Sequence, residues 1–252
     1  MNLAPAPGAA PLPTMIRSHA GMEIKLLLRN GEQFVLTLVI PILLLVLGTR
    51  ATRIVDLGEG RAIDIVTPGV LALAIMSTAF TSLAIATGFE RRYGLLKRLG
   101  ASPLPRSGLV VAKILAVAVV ELGQLVLLSA LALALGWEPA NGWIWLPVLA
   151  VLGTAAFGAL ALLIAGTVRA EATLALANLV YVVLLVGGAV IIPLSRFPEG
   201  AQRFVELLPS AALGEGLRDI FATGAPDASS IIVLTAWALV AGALTVRTFT
   251  WE

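Results

Sequence analysis

Glu90-Arg91-Arg92-Tyr93-Gly94-Leu95-Leu96-Lys97-Arg98-Leu99-Gly100-Ala101-Ser102-Pro103-Leu104-Pro105-Arg106 is the charged interruption on which the reading of the whole chain turns. Apolar stretches flank it near 66–89 and 109–136, each long enough for the ~20 residues that an α-helix needs to cross a bilayer. A short polybasic segment between two such stretches reads as a loop at a membrane surface, and the excess of Arg and Lys assigns it to the cytoplasmic side.

Four further stretches of the same kind lie near 32–50, 143–168, 171–193 and 229–247. Together they predict an all-α polytopic membrane protein with six transmembrane helices and both ends in the cytoplasm. The composition agrees: of 252 residues, 59% are hydrophobic and 13% charged, against roughly 25% charged in soluble domains. A soluble enzyme is thereby excluded, because so little polar surface cannot cover a core of this size.

The charges are sorted as this topology requires. Eleven of the seventeen basic residues fall on the inner side: Arg17, Lys25, Arg29, Arg91, Arg92, Lys97, Arg98, Arg106, Lys113, Arg169 and Arg247. The outer segments hold Arg50, Arg53, Arg61, Arg196, Arg203 and Arg218 among nine acids. A net charge of +2 offers no basic face for nucleic acid. With no cysteine and the single histidine His19 outside every span, thiolate metal sites and a histidine-activated serine at Ser77, Ser82 or Ser129 have no means of forming.

Residues 1–14, with four prolines and four alanines, are expected to be a disordered tail, and Met15 offers a second start. Over 15–31, Ile16, Ala20, Ile24, Leu27 and Leu28 recur at helical spacing with Arg17, Lys25 and Arg29 between them, which predicts an interfacial amphipathic helix. Met15, Met22 and Leu26 fall on a second face. Residues 32–250 form a single membrane unit without a detectable internal repeat. Pro41 in the first span deprives the Thr37 carbonyl of its helical donor, a kink that lipid tolerates if Thr37 itself or a neighbouring helix satisfies that carbonyl.

Three segments stand out as functional candidates. In the opening stretch Tyr93, Leu96 and Leu99 share one side, predicting a short helix ended by Gly100 and Pro103 that either docks a partner or serves as a topology anchor on anionic lipid. Between the last two spans, Pro193-Leu194-Ser195-Arg196-Phe197-Pro198-Glu199 and Leu207-Leu208-Pro209 lead to Glu215 and Arg218. Two short helices broken at Pro209 fit that pattern, and an exterior cap on the bundle is the alternative. Glu215 and Arg218, three apart, can pair on one helical face. The third candidate is Glu121, deep in the third span with Gln124 one turn away; an acid at that depth faces protein or a water-filled cavity and marks a transport pathway or a structural bond. Asn178 and Tyr181 are weaker candidates of the same kind.

The order Glu90-Arg91-x-x-Gly94-x-x-Lys97-x-Leu99, then Ser102-Pro103-Leu104 and Lys113-Ile114-Leu115, resembles the loop between the second and third spans of ABC type-2 exporter permeases, including the daunorubicin-resistance type. Ala112 stands where the family usually has glycine. The 193–218 pattern is similar to the same family, and the likeness extends over about residues 15–250. It implies that Glu90, Arg91, Arg92, Gly94, Lys97, Arg98 and Pro103 belong to a cytoplasmic coupling helix seated in an ATPase subunit. It implies that Pro193, Pro198, Pro209, Glu215 and Arg218 belong to a re-entrant helical hairpin at the outer leaflet.

A phosphate-binding loop ends in Gly-Lys-Ser/Thr, whereas Lys25, Lys97 and Lys113 follow Ile24, Leu96 and Ala112. The resemblance then implies that ATP and Mg belong to a separate ATPase subunit, and the chain is expected to be a transport subunit that is not itself an enzyme and binds no cofactor. A second permease chain, identical or paralogous, would complete the channel in the inner cell membrane. Family substrates are hydrophobic drugs, lipids and lipid-linked glycans. A proton-coupled carrier with Glu121 as relay is the competing expectation, with Gln124 beside it.

Overall fold

Long apolar runs separated by short polar joints leave the backbone one way to satisfy its hydrogen bonds in lipid, and the chain folds accordingly as helix after helix. The computed structural model describes residues 8, 10–29, 31–50, 61–95 and 102–248, and no strand occurs among them. In chain order the helices are α1 (Leu12–Arg29), α2 (Gly31–Arg50), α3 (Ala62–Arg92), α4 (Arg106–Ala134), α5 (Leu146–Thr167) and α6 (Ala170–Gly187). A 3-10 turn (Leu194–Arg196), α7 (Glu199–Val205), α8 (Pro209–Thr223) and α9 (Ala228–Thr248) complete the order.

Four of these, α3, α4, α5 and α9, are long and apolar enough to cross a membrane; α2 and α6 contribute the shorter apolar helices Thr37–Arg50 and Glu171–Gly187. Every expected span thus falls on a helix, but several bounds shift. The fifth span was expected to reach 193, whereas α6 ends at Gly187. The chain then leaves helical geometry, with Ala189 at φ 52. The second was expected to end at 89 but runs to Arg92, so Glu90, Arg91 and Arg92 form its last turn and do not begin a separate helix. Gly94, at φ 67, breaks the direction there, a conformation that a residue with a Cβ resists. The interfacial helix starts at Leu12, earlier than the expected 15. The expected tail lies largely outside the described residues, as do Leu96 to Ala101, including Lys97 and Arg98.

The core centres on α3, whose Leu71, Ile75, Met76 and Phe80 are fully buried together with Leu128 of α4, Leu149 and Phe157 of α5, and Leu213 and Leu217 of α8. Within α3, Ser77–Ser82 widens into a π-helical turn, a feature often found at functional sites. Trp137, Trp143 and Phe221 close one end in edge-to-face contacts. Gly142 lies so close to α8 that an added Cβ would sit 2.0 Å from the Ile220 carbonyl oxygen.

Proline sets the breaks between the last elements. Pro193 precedes the 3-10 turn, Pro198 precedes α7, and Pro209 opens α8, where its missing N–H costs nothing. Two helices separated at Pro209 are what the sequence led one to expect.

Candidate functional site

α4 carries a line of buried polar side chains: Lys113, Glu121, Gln124 and Ser129. A carboxylate, an ammonium and an amide in an apolar bundle each need partners. Three clusters result, two of them built on this helix.

At the first, the Lys113 ammonium donates to Glu23 Oε1 of α1 at 2.8 Å and to Glu90 Oε1 of α3 at 2.5 Å. His19 lies one turn before Glu23, its Nε2 3.3 Å from the same Oε1. Lys113 is 3% exposed, Glu23 7% and His19 8%. Burial pushes the Glu23 carboxyl up, but the His19 imidazole and the Lys113 ammonium outweigh it and hold the group at about 2. Two carboxylates thus share one ammonium, and Glu90 keeps a second buried oxygen, Oε2, without a partner.

The residues that α1 buries are His19, Ala20 and Glu23. Its attachment to the bundle combines this cluster with the half-buried Met15, Ile16, Ile24 and Leu27. Neither His19 nor Glu23 stood out in the sequence, although their i, i+4 spacing beside Ala20 places two polar groups on the apolar side of an amphipathic helix. Lys113 enters the sequence pattern as an inner-side cation and as part of a motif, and neither pairs it with a buried carboxylate.

Close by, Arg91 Nη1 donates to the carbonyls of Ala165 at 2.9 Å and Val168 at 2.8 Å, at the C-terminal end of α5. A cation there satisfies carbonyls that lack helical donors and opposes the negative end of the helix dipole. Arg92 stays exposed. After the undescribed residues the chain returns at Ser102, whose hydroxyl accepts the Leu104 N–H at 3.3 Å. Exposed Pro103 lies between them, and Pro105 caps α4.

The second cluster lies mid-helix. Gln124 does not pair with Glu121. Its Oε1 accepts the Thr78 hydroxyl from the π-helical turn at 2.8 Å, and its Nε2 donates to the Thr37 carbonyl at 3.4 Å. That carbonyl is the one that Pro41 leaves without a helical donor, so α4 supplies the bond that the proline removes.

Glu121 points to α5, where the Thr154 hydroxyl bonds to Oε2 and also reaches the Ala150 carbonyl. Its other oxygen, Oε1, is buried without a partner. A groove of about 500 Å³ runs past it between α4 and α5, lined by Leu122, Val126, Ser129, Trp143 and Val151 among others.

The third cluster gathers the Pro193–Arg218 residues. Arg218 donates to the carbonyls of Ala189 at 3.0 Å, Val190 at 2.6 Å and Ile191 at 3.1 Å, and to Glu215 Oε1 at 2.7 Å. Glu215 in turn accepts the Leu194 N–H at 2.8 Å. The expected pair forms, and its work is to pin the irregular strand of chain between α6 and the 3-10 turn. Gly69 and Gly214 allow this approach: a Cβ on either would meet the Val190 carbonyl oxygen at 2.6 Å or that of Ala189 at 2.9 Å.

Comparison with known proteins adds to this geometry. The family model described as ABC-2 type transporter matches residues 17–222. Probable doxorubicin resistance ABC transporter permease protein DrrC of two Mycobacterium tuberculosis strains is 30% identical over 175 residues, 67% of this chain. The match spans 62% of those relatives' own length. Putative transport permease YvfS of Bacillus subtilis is 24% identical over 233 residues, 88% of this chain and 92% of that protein.

Proposed function

The chain belongs to the ABC-2 type transporter family, and from that premise we propose that it is the membrane-spanning permease subunit of an ATP-driven exporter. It moves a hydrophobic or amphipathic substrate, a drug, a lipid or a lipid-linked glycan, out of the cytoplasm across the inner cell membrane. A separate ATPase subunit holding ATP and Mg supplies the energy, and a second permease chain completes the channel. All six apolar helices cross the bilayer, with both ends inside.

The way contacts group supports that topology. Segments expected inside meet one another: α1 meets the end of α3 and the start of α4 through Lys113, and Arg91 meets the end of α5. Segments expected outside do the same, Arg61 with Glu138 and Ala140 with Phe221. The 194–221 helices then form a re-entrant hairpin at the outer leaflet, pinned by Arg218.

The observation that carries the coupling role is the Lys113 ammonium shared between Glu23 and Glu90. It joins the helix ahead of the 93–105 segment, the helix after it and the interfacial helix at one point. A push on that segment, which carries Lys97 and Arg98 in sequence and follows the exposed Arg92, is passed to three helices together.

Reconstitution tests the reading. Export of a lipophilic substrate requires a separate ATPase and is lost when Arg92 and Lys97 are replaced by glutamate at normal expression. ATP-dependent export that persists in that variant removes the coupling role; export by the permease without any ATPase removes the reading itself.

The unpartnered oxygen of Glu121 favours one competing reading, a proton-coupled carrier. Collapsing the proton gradient at constant ATP separates the two. Transport that stops, and that Glu121→Gln also abolishes, replaces the exporter reading.

A further inference from the structure

The groove beside Glu121 has the size, lining and polarity of a ligand site. Its roughly 500 Å³ lies within the usual range for small-molecule pockets. Its walls are apolar side chains of α4 and α5, and Leu122, Val126 and Val151 are each more than 60% exposed. Glu121, by contrast, is 3% exposed. The groove is thus open on its outer side, the side that lipid meets, and carries an acid on its floor.

The floor is short of hydrogen-bond donors. Thr154 has one proton and two acceptors in reach, Glu121 Oε2 and the Ala150 carbonyl. Whichever takes it, Glu121 Oε1 receives none, and the Ser129 hydroxyl two turns further along the groove has no partner either. A buried acceptor without a donor is costly, and a donor arriving with a positive charge relieves most of that cost. Trp143 lines the opposite end of the groove, about three helical turns from Glu121, and offers aromatic surface to the ligand's apolar part.

We infer that the α4–α5 groove is a binding site for lipophilic amines entering from the bilayer, with Glu121 Oε1 accepting the ammonium N–H and Ser129 taking a second polar group of the ligand. The site deepens the exporter reading, for which it would be a place of substrate entry, but its occupancy by the chain alone requires neither ATP nor a partner. Failure of binding and failure of ATP-driven export are therefore separate results.

The test uses the full chain in lipid nanodiscs and the fluorescence of Trp143. The probes are three brominated dodecyl compounds of one length: a dimethylamine, protonated at pH 7, the corresponding alcohol, and the bare alkane. Bromine quenches tryptophan on contact, and Trp143→Phe identifies the part of the signal that comes from the groove.

The amine is expected to quench saturably with an affinity about tenfold or more above the alkane, with the alcohol between them. Glu121→Gln reduces the amine to the level of the alcohol. Val126→Phe, at an exposed position that leaves the bundle intact, narrows the groove and removes saturable quenching by all three. Equal affinities of amine and alkane in the wild-type chain overturn the proposal, as does an amine affinity unchanged by Glu121→Gln. The absence of cysteine allows one more check: efficient disulfide formation between two copies carrying Val126→Cys would show that a second chain covers the groove, which also overturns it.

Discussion

Lys113→Met keeps the length and apolar bulk of the lysine stem while removing its ammonium, and so isolates the charge at the centre of the first cluster. The variant loses two charge-assisted hydrogen bonds, at 2.8 Å and 2.5 Å, and leaves Glu23 and Glu90 buried with only His19 nearby. Breaking a buried pair in this way costs about 3–5 kcal/mol. The depression of Glu23 from 4.5 to about 2 corresponds to about 3 kcal/mol, shared between His19 and Lys113. Because α1 buries His19, Ala20 and Glu23, the loss falls on the docking of α1 more than on the bundle. Amide exchange over His19–Lys25 in nanodiscs should accelerate by about 100-fold, while the α3 core stays protected. The double variant Glu23→Gln with Lys113→Met should cost less than the two single costs summed, since both remove one interaction. The sign with pH follows from a depressed carboxyl: the contribution of Glu23 is complete above 4.5 and fades as the pH falls toward about 2. Exchange in α1 that changes by less than about threefold in Lys113→Met would show that apolar contacts, not the ion cluster, hold the helix.

Gln124→Leu removes the partner of the Thr78 hydroxyl and of the Thr37 carbonyl together, and should lower stability in a detergent melt by about 1–3 kcal/mol. Arg218→Gln leaves three carbonyls and Glu215 without their cation; a loss of about 3–5 kcal/mol is expected, and Arg218→Lys should recover little because one ammonium cannot span the same fork. Gly142→Ala places a Cβ 2.0 Å from the Ile220 carbonyl oxygen and should prevent stable folding, as read by monodispersity after solubilisation. Gly123→Ala, with nothing within 4 Å of the added Cβ, should instead stabilise α4 by about 0.5–1 kcal/mol.

The apolar helices were legible because each announces itself within its own window of sequence. So were the break at Pro209 and the Glu215–Arg218 pair, since both depend on residues a few positions apart. What escaped was long-range or without local signature. Glu23 and Lys113 are separated by ninety positions, and only the packing of α1 on α4 brings them together. Arg91 read as a residue for a partner because nothing in its neighbourhood shows that the end of α5 lies beside it. Gln124 was weighed as a neighbour of Glu121, yet the two residues face different helices, α3 and α2 for the amide and α5 for the acid. The π-helical turn at Ser77–Ser82 could not be read either, because α3 is buried on every side around it and has no single apolar face whose register an inserted residue would visibly shift.

The buried carboxylates differ in what faces them, and the difference separates structure from chemistry. Glu23 and Glu90 face Lys113, and the half-buried Glu215 faces Arg218. Each of these pairs ties one helix to another or to a loop, so the cost of burying two charges is offset by a defined geometry. Glu121 faces a hydroxyl with a competing acceptor and leaves its second oxygen empty on the floor of a groove. A hydrophobic side chain would pack α4 against α5 without that cost. Gln124, three positions on, shows that the same helix can give both polar atoms of a buried side chain a partner where the fold needs one. The acid at 121 is therefore the buried ionisable group of α4 whose presence the packing does not explain, and the open groove beside it is where its missing partner has room to bind.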